Sequence, residues 1–458
     1  MVRMHKQVTI SDPEQLTYGS SPKPVRCGFD LTIGGGQVFP EVNFTLPAIS
    51  VEAATWNDVV AQYREMANGI VKRAVALRVP GIVLEFELLP AMTETPEYGA
   101  EITALLHRAL RDAHEKNGLK CALRVTPTDV RDMSKPPSLR SGPGWEKLKR
   151  SFELCAAAGA DIVSIESVGG KEIHDQGLMY GEVRAIAFAL GVLAPRDMTW
   201  LWDRIVEICA ADGKAVPGGD SACGFANTAM QLAHQKMLPE VLAAVVRAMS
   251  AVRSLVAFER GARGPSKDCA YEGPVIKAIT GCPISMEGKS AACAHFSPLG
   301  NIAAAMCDLW SNESVQNVRL LSGSAPEAFT ELLAYDCRLM NTAAAEGQAP
   351  MLRRWMVASD EWTSPQAAIL SPKATVAIAS AIVGATSPYA AAKAAGLAAV
   401  AILNSGIEAG LLKLNAKESG WLARIETELK ALPDDESELV GEMRQTYAGV
   451  FDPASYGL

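Results

Sequence analysis

Three side chains with metal-binding chemistry follow strand-like segments at intervals of one or two strand–helix units. Glu166 closes the run Asp161-Ile-Val-Ser-Ile-Glu166 and precedes Ser167-Val-Gly-Gly170. Cys223 lies in Pro217-Gly-Gly-Asp-Ser-Ala-Cys-Gly-Phe-Ala226. Cys269 lies in the turn-rich loop Gly264-Pro-Ser-Lys-Asp-Cys-Ala-Tyr-Glu-Gly273, ahead of a helix-like run from Pro274 to Thr280. Lys267 and the helix start at Pro274 are expected to favour the Cys269 thiolate, which is the metal-binding form. Two thiolates and a carboxylate suit zinc. Three protein ligands leave a fourth position open, as in catalytic rather than structural zinc sites. Spacing alone does not decide this, because no Cys-x-x-Cys is present. The plainer alternative is two loop cysteines and a strand-end glutamate bonded to backbone amides.

For these groups to meet, parallel strand ends must bring them together. The chain has the required alternation. Thr55-Trp-Asn-Asp58 is expected to cap a helix running to about Leu77, followed by the strand Gly81–Glu87. Helix is expected at 98–116, strand at 119–126, helix at 145–158 and strand at 161–166. Helices are expected at 179–193 and 197–212, then a short strand at 214–217 before Gly218-Gly219-Asp220. Helices at 225–236 and 239–255, helix at 300–310, strand at 315–321 and helix at 325–345 complete the series. Strands that alternate with helices over this length read as a parallel sheet with right-handed crossovers. The expected fold is an α/β (β/α)8 TIM barrel, whose functional groups lie at the C-terminal strand ends. A doubly wound open sheet is the alternative, but no Gly-x-Gly-x-x-Gly follows the first strand.

Three regions are expected. Residues 1–54 form an extended N-terminal arm, rich in turn formers such as Pro22, Pro24, Gly34-Gly-Gly36 and Pro40. Residues 55–345 form the barrel, and residues 346–458 a helical extension with helices at 350–385, 387–412, 416–431 and 435–447. Ala374–Ala392 carries no charge, but it is Ala-rich and interrupted by Thr386-Ser-Pro388, so it reads as a packed hairpin rather than a membrane span. The Ala-rich helices also make self-association an expectation.

The 458 residues can bury a large core, and the 49% hydrophobic and 21% charged fractions are ordinary for a globular chain. A net charge of −8 argues against general nucleic-acid or anionic-membrane binding. Met1–Gln7 has no apolar run of the signal-peptide kind. Ten dispersed cysteines read as a reduced, cytoplasmic chain.

The segments around Glu166, Cys223 and Cys269, with Met286-Glu-Gly-Lys-Ser290, resemble those of methanol:corrinoid methyltransferases. The resemblance runs through nearly the whole chain and is strongest from about 160 to 300. It implies a (β/α)8 barrel holding one zinc ion per chain through Glu166, Cys223 and Cys269. It further implies transfer of the methyl group of methanol to the cobalt of a separate corrinoid-binding protein, in one-carbon metabolism, with a homodimer inside a larger complex. Zinc would polarise the C–O bond and a cobalt(I) corrinoid would attack the methyl carbon. The proton for the departing oxygen is expected from Asp220, Asp268, Glu85 or water. Two other readings stand beside this one. A sibling enzyme would take another small methoxy donor, and a zinc-free barrel lyase or isomerase would use Glu85, Glu166 or a loop lysine as base. A non-catalytic scaffold for the corrinoid protein is a third class.

Asp112-Ala-His-Glu-Lys-Asn-Gly118 is one residue too long for the corrinoid-tail signature Asp-x-His-x-x-Gly. His114 therefore reads as a helix residue and Gly118 as the helix stop, so the corrinoid must arrive on the partner. His107 reads as a packing residue, and His174 and His295 as loop residues. His295 and Cys293 are outer candidates near the site, and Cys282 a spare thiol. Lys267 and Asp268 are expected to shape their loop.

Overall fold

The computed structural model describes residues 5–44, 49–269, 271–288, 299–314, 319–320 and 323–458. Cys293 and His295 lie outside them. Two strands, β1 (Ser20–Cys27) and β2 (Leu31–Gly35), form an antiparallel hairpin. Seven further strands form one parallel sheet: β3 (Phe39–Phe44), β4 (Ile82–Glu87), β5 (Cys121–Thr126), β6 (Ile162–Ile165), β7 (Val216–Asp220), β8 (Ser285–Glu287) and β9 (Leu309–Ser314). Their spatial order is β7-β6-β5-β4-β3-β9-β8. The gap between β7 and β8 is filled by residues 263–268. Arg263 N and Gly264 N donate to Pro217 O (2.7 Å) and Gly218 O (2.8 Å). On the other edge Ser266 N donates to Pro283 O, and Ser266 bridges Ile284 in parallel. This segment is the sixth stave, so the sheet closes as an eightfold TIM-barrel-like fold.

Closure through 263–268 depends on Gly264. Its φ is +87°, and a Cβ there would lie 2.8 Å from Pro283 O. Gly264→Ala is therefore expected to destabilise the chain by about 1–3 kcal/mol. Urea unfolding followed by circular dichroism checks this, and a loss below about 0.5 kcal/mol would contradict it.

The hairpin explains the N-terminal stretch. Val25, Leu31 and Ile33 join Val83, Ala122, Ile162, Val216 and Leu309 in one apolar cluster. These strand residues point inward low in the barrel, so the hairpin plugs its bottom. Above the plug the interior is ionic. Fully buried Arg124 donates to Glu41 (2.7 Å), Ser164 (2.8 Å) and Pro265 O (3.1 Å), which ties β3, β5, β6 and the sixth stave together.

Several boundaries differ from those the sequence suggested. The barrel begins at β3, inside the expected arm. Glu41 and Asn43 alternate with apolar residues there, and the inward face is polar because the barrel core is ionic. Thr55 precedes the helix Trp56–Ala76, but its side chain makes no capping bond and donates instead to Ser50 O. The helical run expected at 179–193 begins at Val183 and continues through a π turn (Ala189–Leu193) into Ala194–Asp212, and a separate helix, Lys171–Tyr180, precedes it. Gly218-Gly219-Asp220 belongs to β7 rather than to a loop. The last barrel strand, Leu309–Ser314, begins inside the helix expected at 300–310, of which only Gly300–Ala304 is helical. Of the strand expected at 315–321, Arg319–Leu320 pairs with Gly323–Ser324 and the rest lies outside the described residues.

After residue 346 the chain is helical among the described residues. Pro365 and Pro372 split the helix expected at 350–385 into Ala349–Asp360, Pro365–Leu370 and Pro372–Val383. The Ala-rich helix Pro388–Glu408 lies against Glu240–Glu259, with Gly396 close to Met249 and Leu429. Its small residues thus permit close packing within the chain. Among the described residues two helices, Glu240–Glu259 and Pro388–Glu408, are long and apolar enough to cross a membrane; the first is wholly buried inside the fold.

Candidate metal centre

The three ligand candidates meet. One oxygen of Glu166 and the sulfurs of Cys223 and Cys269 all lie within 4.8 Å of one another. Each comes from a different stave. Glu166 is the residue after β6, Cys223 sits three residues beyond β7, and Cys269 directly follows the sixth stave. Cys269 Sγ is 3.2 Å from Glu166 Oε1. Tetrahedral zinc with about 2.3 Å to sulfur and 2.0–2.2 Å to oxygen brings its ligand atoms to such separations.

Deeper groups, Asp268–Cys269–Glu287 and Glu41–Glu85–Asp268, also cluster, but the carboxylates of Asp268 and Glu41 are engaged. Asp268 is bonded to Lys267 and Ser311, and Glu41 to Arg124 and Ser285. The Glu166–Cys223–Cys269 set holds two sulfurs and, through Glu166, borders a cavity of about 260 Å3 that Glu87, Leu88, Thr128, Val168 and Gly224 also line. A third of the Glu166 side chain faces that space.

Electrostatics favour a cation there. A hydrogen bond with Cys269 pulls the Cys223 thiol down, but burial and the nearby Glu166 charge outweigh it and push it up to about 12. Cys269 is pushed well above its usual value, first by its hydrogen bond with Cys223 and then by burial. Lys267 opposes this without prevailing, so the expected thiolate at Cys269 does not follow from Lys267 alone. Burial raises Glu166 to about 7. Two thiols and a carboxyl that resist ionisation together are the state a divalent ion reverses, because it displaces their protons.

Lys267 is the hub of the layer below. Its side chain is fully buried, and Nζ lies 2.6 Å from Glu87, 3.3 Å from Glu85 and 3.6 Å from Glu166, and bonds Asp268. Burial pulls the ammonium down, but Asp268, Glu85 and Glu87 outweigh it and hold it well above the usual value. The loop-shaping role expected of Lys267 and Asp268 is thus a charge network under the metal site.

Asp220 is beside the site but committed elsewhere. Oδ1 accepts from Arg253 Nη2 (3.1 Å) and Ser167 N (3.3 Å), and Oδ2 from Trp202 Nε1 (3.0 Å). Oδ1 thus ties the Glu166 loop to the helix Glu240–Glu259, and Oδ2 holds the helix Ala194–Asp212. Glu85 accepts from Thr126 Oγ1 (2.8 Å) and is buried, which pushes its carboxyl well above the usual range. Glu87 also borders the cavity, beside Glu166 and Asp129, and the sequence reading did not single it out.

Arg253 was missed as well. It projects from the buried helix Glu240–Glu259, donates to Ser221 O (2.7 Å) and Ser167 O (3.1 Å), and so joins the loops of Cys223 and Glu166. A signal existed: Arg247 and Arg253 interrupt a helix that is otherwise apolar on every face. Of the histidines, His174 is buried in the helix Lys171–Tyr180 against Phe225, not in a loop. His107 packs against Phe29. Gly118 stops its helix at φ +68° with its N–H bonded to His114 O, as the sequence suggested. Cys282 joins none of the metal-competent groups among the described residues.

The chain is similar to known proteins over nearly its whole length. The family described as "Methanol-cobalamin methyltransferase B subunit" matches residues 2–457. One relative, the methanol–corrinoid protein co-methyltransferase of Methanosarcina barkeri, is 36% identical over 463 residues, 99% of each chain. The crystal structure of the methanol:cobalamin methyltransferase complex MtaBC from Methanosarcina barkeri contains a similar chain, with a TM-score of 0.96 and 35% identity over the full length of both.

Proposed function

Since the chain belongs to the methanol-cobalamin methyltransferase B subunit family, it is a methyltransferase, and we propose that it transfers the methyl group of methanol to the cobalt(I) corrinoid of a separate protein at a zinc centre held by Glu166, Cys223 and Cys269. The observation that carries the zinc part is the convergence of those three donor atoms within 4.8 Å at the wall of a cavity. Zinc bound there supplies Lewis acidity toward the alcohol oxygen.

The chain's own residues prepare the rest. Leu88 and Val168 give the cavity apolar walls that suit a methyl group and exclude water from it. Glu87, fixed by Lys267 at 2.6 Å, offers an acceptor for the substrate hydroxyl at the cavity edge. Arg253 and Asp220 hold the Glu166 and Cys223 loops in register, so the alcohol and the incoming acceptor meet in a fixed orientation. In the transfer the C–O bond breaks with its electron pair on oxygen, which leaves as water after taking a proton. The new carbon–cobalt bond takes both electrons from cobalt(I). The acceptor reaches the cavity from the open ends of the strands, the face where barrel enzymes act. Assembly as a homodimer within a complex containing the corrinoid protein, in the cytoplasm, completes the reading.

Mixing the metal-loaded chain with methanol and a cobalt(I) corrinoid protein tests it. The absorption spectrum of methyl-cobalt is expected to appear, and to fail to appear after zinc is removed by a chelator. A spectrum that forms at the same rate without zinc would sink the zinc part; no spectrum with an active partner would sink the whole proposal.

A further inference from the structure

We infer that Asn227 is a positioning residue for both sulfur donors, acting through one amide nitrogen shared between them. This rests on the zinc reading above. Asn227 Nδ2 is 2.6 Å from Cys269 O and 3.7 Å from Cys223 Sγ. A backbone carbonyl only accepts, so the nitrogen rather than the oxygen of the amide must face Cys269. The two hydrogens of the –NH2 group are then available to the carbonyl of one ligand residue and the sulfur of the other. Local backbone makes this possible. Cys223–Asn227 forms a π-helical turn, which brings residue 227 back over residue 223. Asn227 is only 7% exposed, so water competes little for these contacts.

The contact to Cys269 has a further consequence. Cys269 has φ +63°, a left-handed conformation that a non-glycine residue keeps only when its surroundings enforce it. The Asn227 bond grips the Cys269 carbonyl in that conformation, which aims Sγ at Glu166 and Cys223. A separate tie joins the same two loops: Glu272 Oε1 accepts from Ala222 N (2.7 Å) and Ser254 Oγ (2.6 Å). Loss of Asn227 therefore loosens the donor set without disconnecting the loops. The N–H···S contact also draws electron density from the Cys223 sulfur, which leaves a bound metal more electron-poor and a stronger Lewis acid.

Asn227→Leu keeps the branched four-atom skeleton and removes the donor. The expected result is zinc binding about 10–100-fold weaker in chelator competition. With cobalt(II) in place of zinc, the sulfur-to-metal charge-transfer band is expected to move to lower energy, because the sulfur has lost a hydrogen bond. If that variant does not fold, Asn227→Ser, too short to span both contacts, carries the same two expectations. Zinc affinity within about twofold of the parent overturns the inference, and so does weaker affinity with an unmoved band, which would mark a merely structural role. A parent chain that binds no zinc removes the zinc reading and this inference together; a parent that binds zinc while the variants match it removes this inference alone.

Discussion

Cys223→Ser is expected to leave the chain folded, strip it of stoichiometric zinc and slow methyl transfer to the corrinoid protein by about 10^2–10^4. The fold should survive because serine is nearly isosteric and, among the described residues, the Cys223 side chain bonds Asn227 and Cys269 alone. The chemistry should not, because hydroxide is a poor leaving group and zinc acting as a Lewis acid supplies several kcal/mol of transition-state stabilisation. Each 1.36 kcal/mol is a factor of ten in rate. Serine offers a hydroxyl too basic to ionise beside Glu166, so a two-ligand remnant remains. Metal analysis after gel filtration, with the methyl-cobalt absorbance followed in time, measures both effects. Full zinc content with an unchanged rate would remove Cys223 from the ligand set.

The second large effect concerns stability. Lys267→Met is expected to cost about 3–5 kcal/mol of unfolding free energy, the usual consequence of removing one partner from a buried ion pair. The substitution keeps an aliphatic stem but leaves Asp268, Glu85 and Glu87 facing one another without their shared cation. Asp268 is held by Lys267 and Ser311 alone among the described contacts. Those carboxyls would have to take up protons or water, and either would disturb Glu166 above them. Chemical unfolding monitored by far-ultraviolet circular dichroism tests this. A loss under about 1 kcal/mol would show that the network tolerates neutralisation and that Lys267 is not its hub.

The ligand triad and the barrel were legible because both write themselves in local pattern. Glu166 follows a β-branched run, and Cys223 and Cys269 sit among glycines and prolines where buried packing cysteines are rare. The repeat of strand and helix from Trp56 onward carries the periodicity of a parallel sheet. The first and last staves were misplaced because the barrel core is ionic at their level. Glu41 and Asn43 in β3 read as loop polarity, and only their contacts with Arg124, Ser285 and neighbouring strands show them inside. The sixth stave, residues 263–268, is built on Gly264-Pro265, a pair that signals a turn. Its strand character comes from partners on both sides, which no local pattern reports. Arg253, Asn227 and Glu272 were missed for a related reason: their work is to join loops far apart in the chain. Asp220 was placed near the site correctly, but its partners Arg253 and Trp202 are visible only in three dimensions.

The most direct test is X-ray absorption at the zinc edge on the purified, zinc-loaded chain. The account predicts a first shell with two sulfur neighbours at about 2.3 Å and oxygen neighbours at about 2.0–2.2 Å, falling to at most one sulfur in the residual zinc that Cys223→Ser or Cys269→Ser retains. A shell made only of oxygen and nitrogen, or one that keeps both sulfurs in either variant, would contradict it.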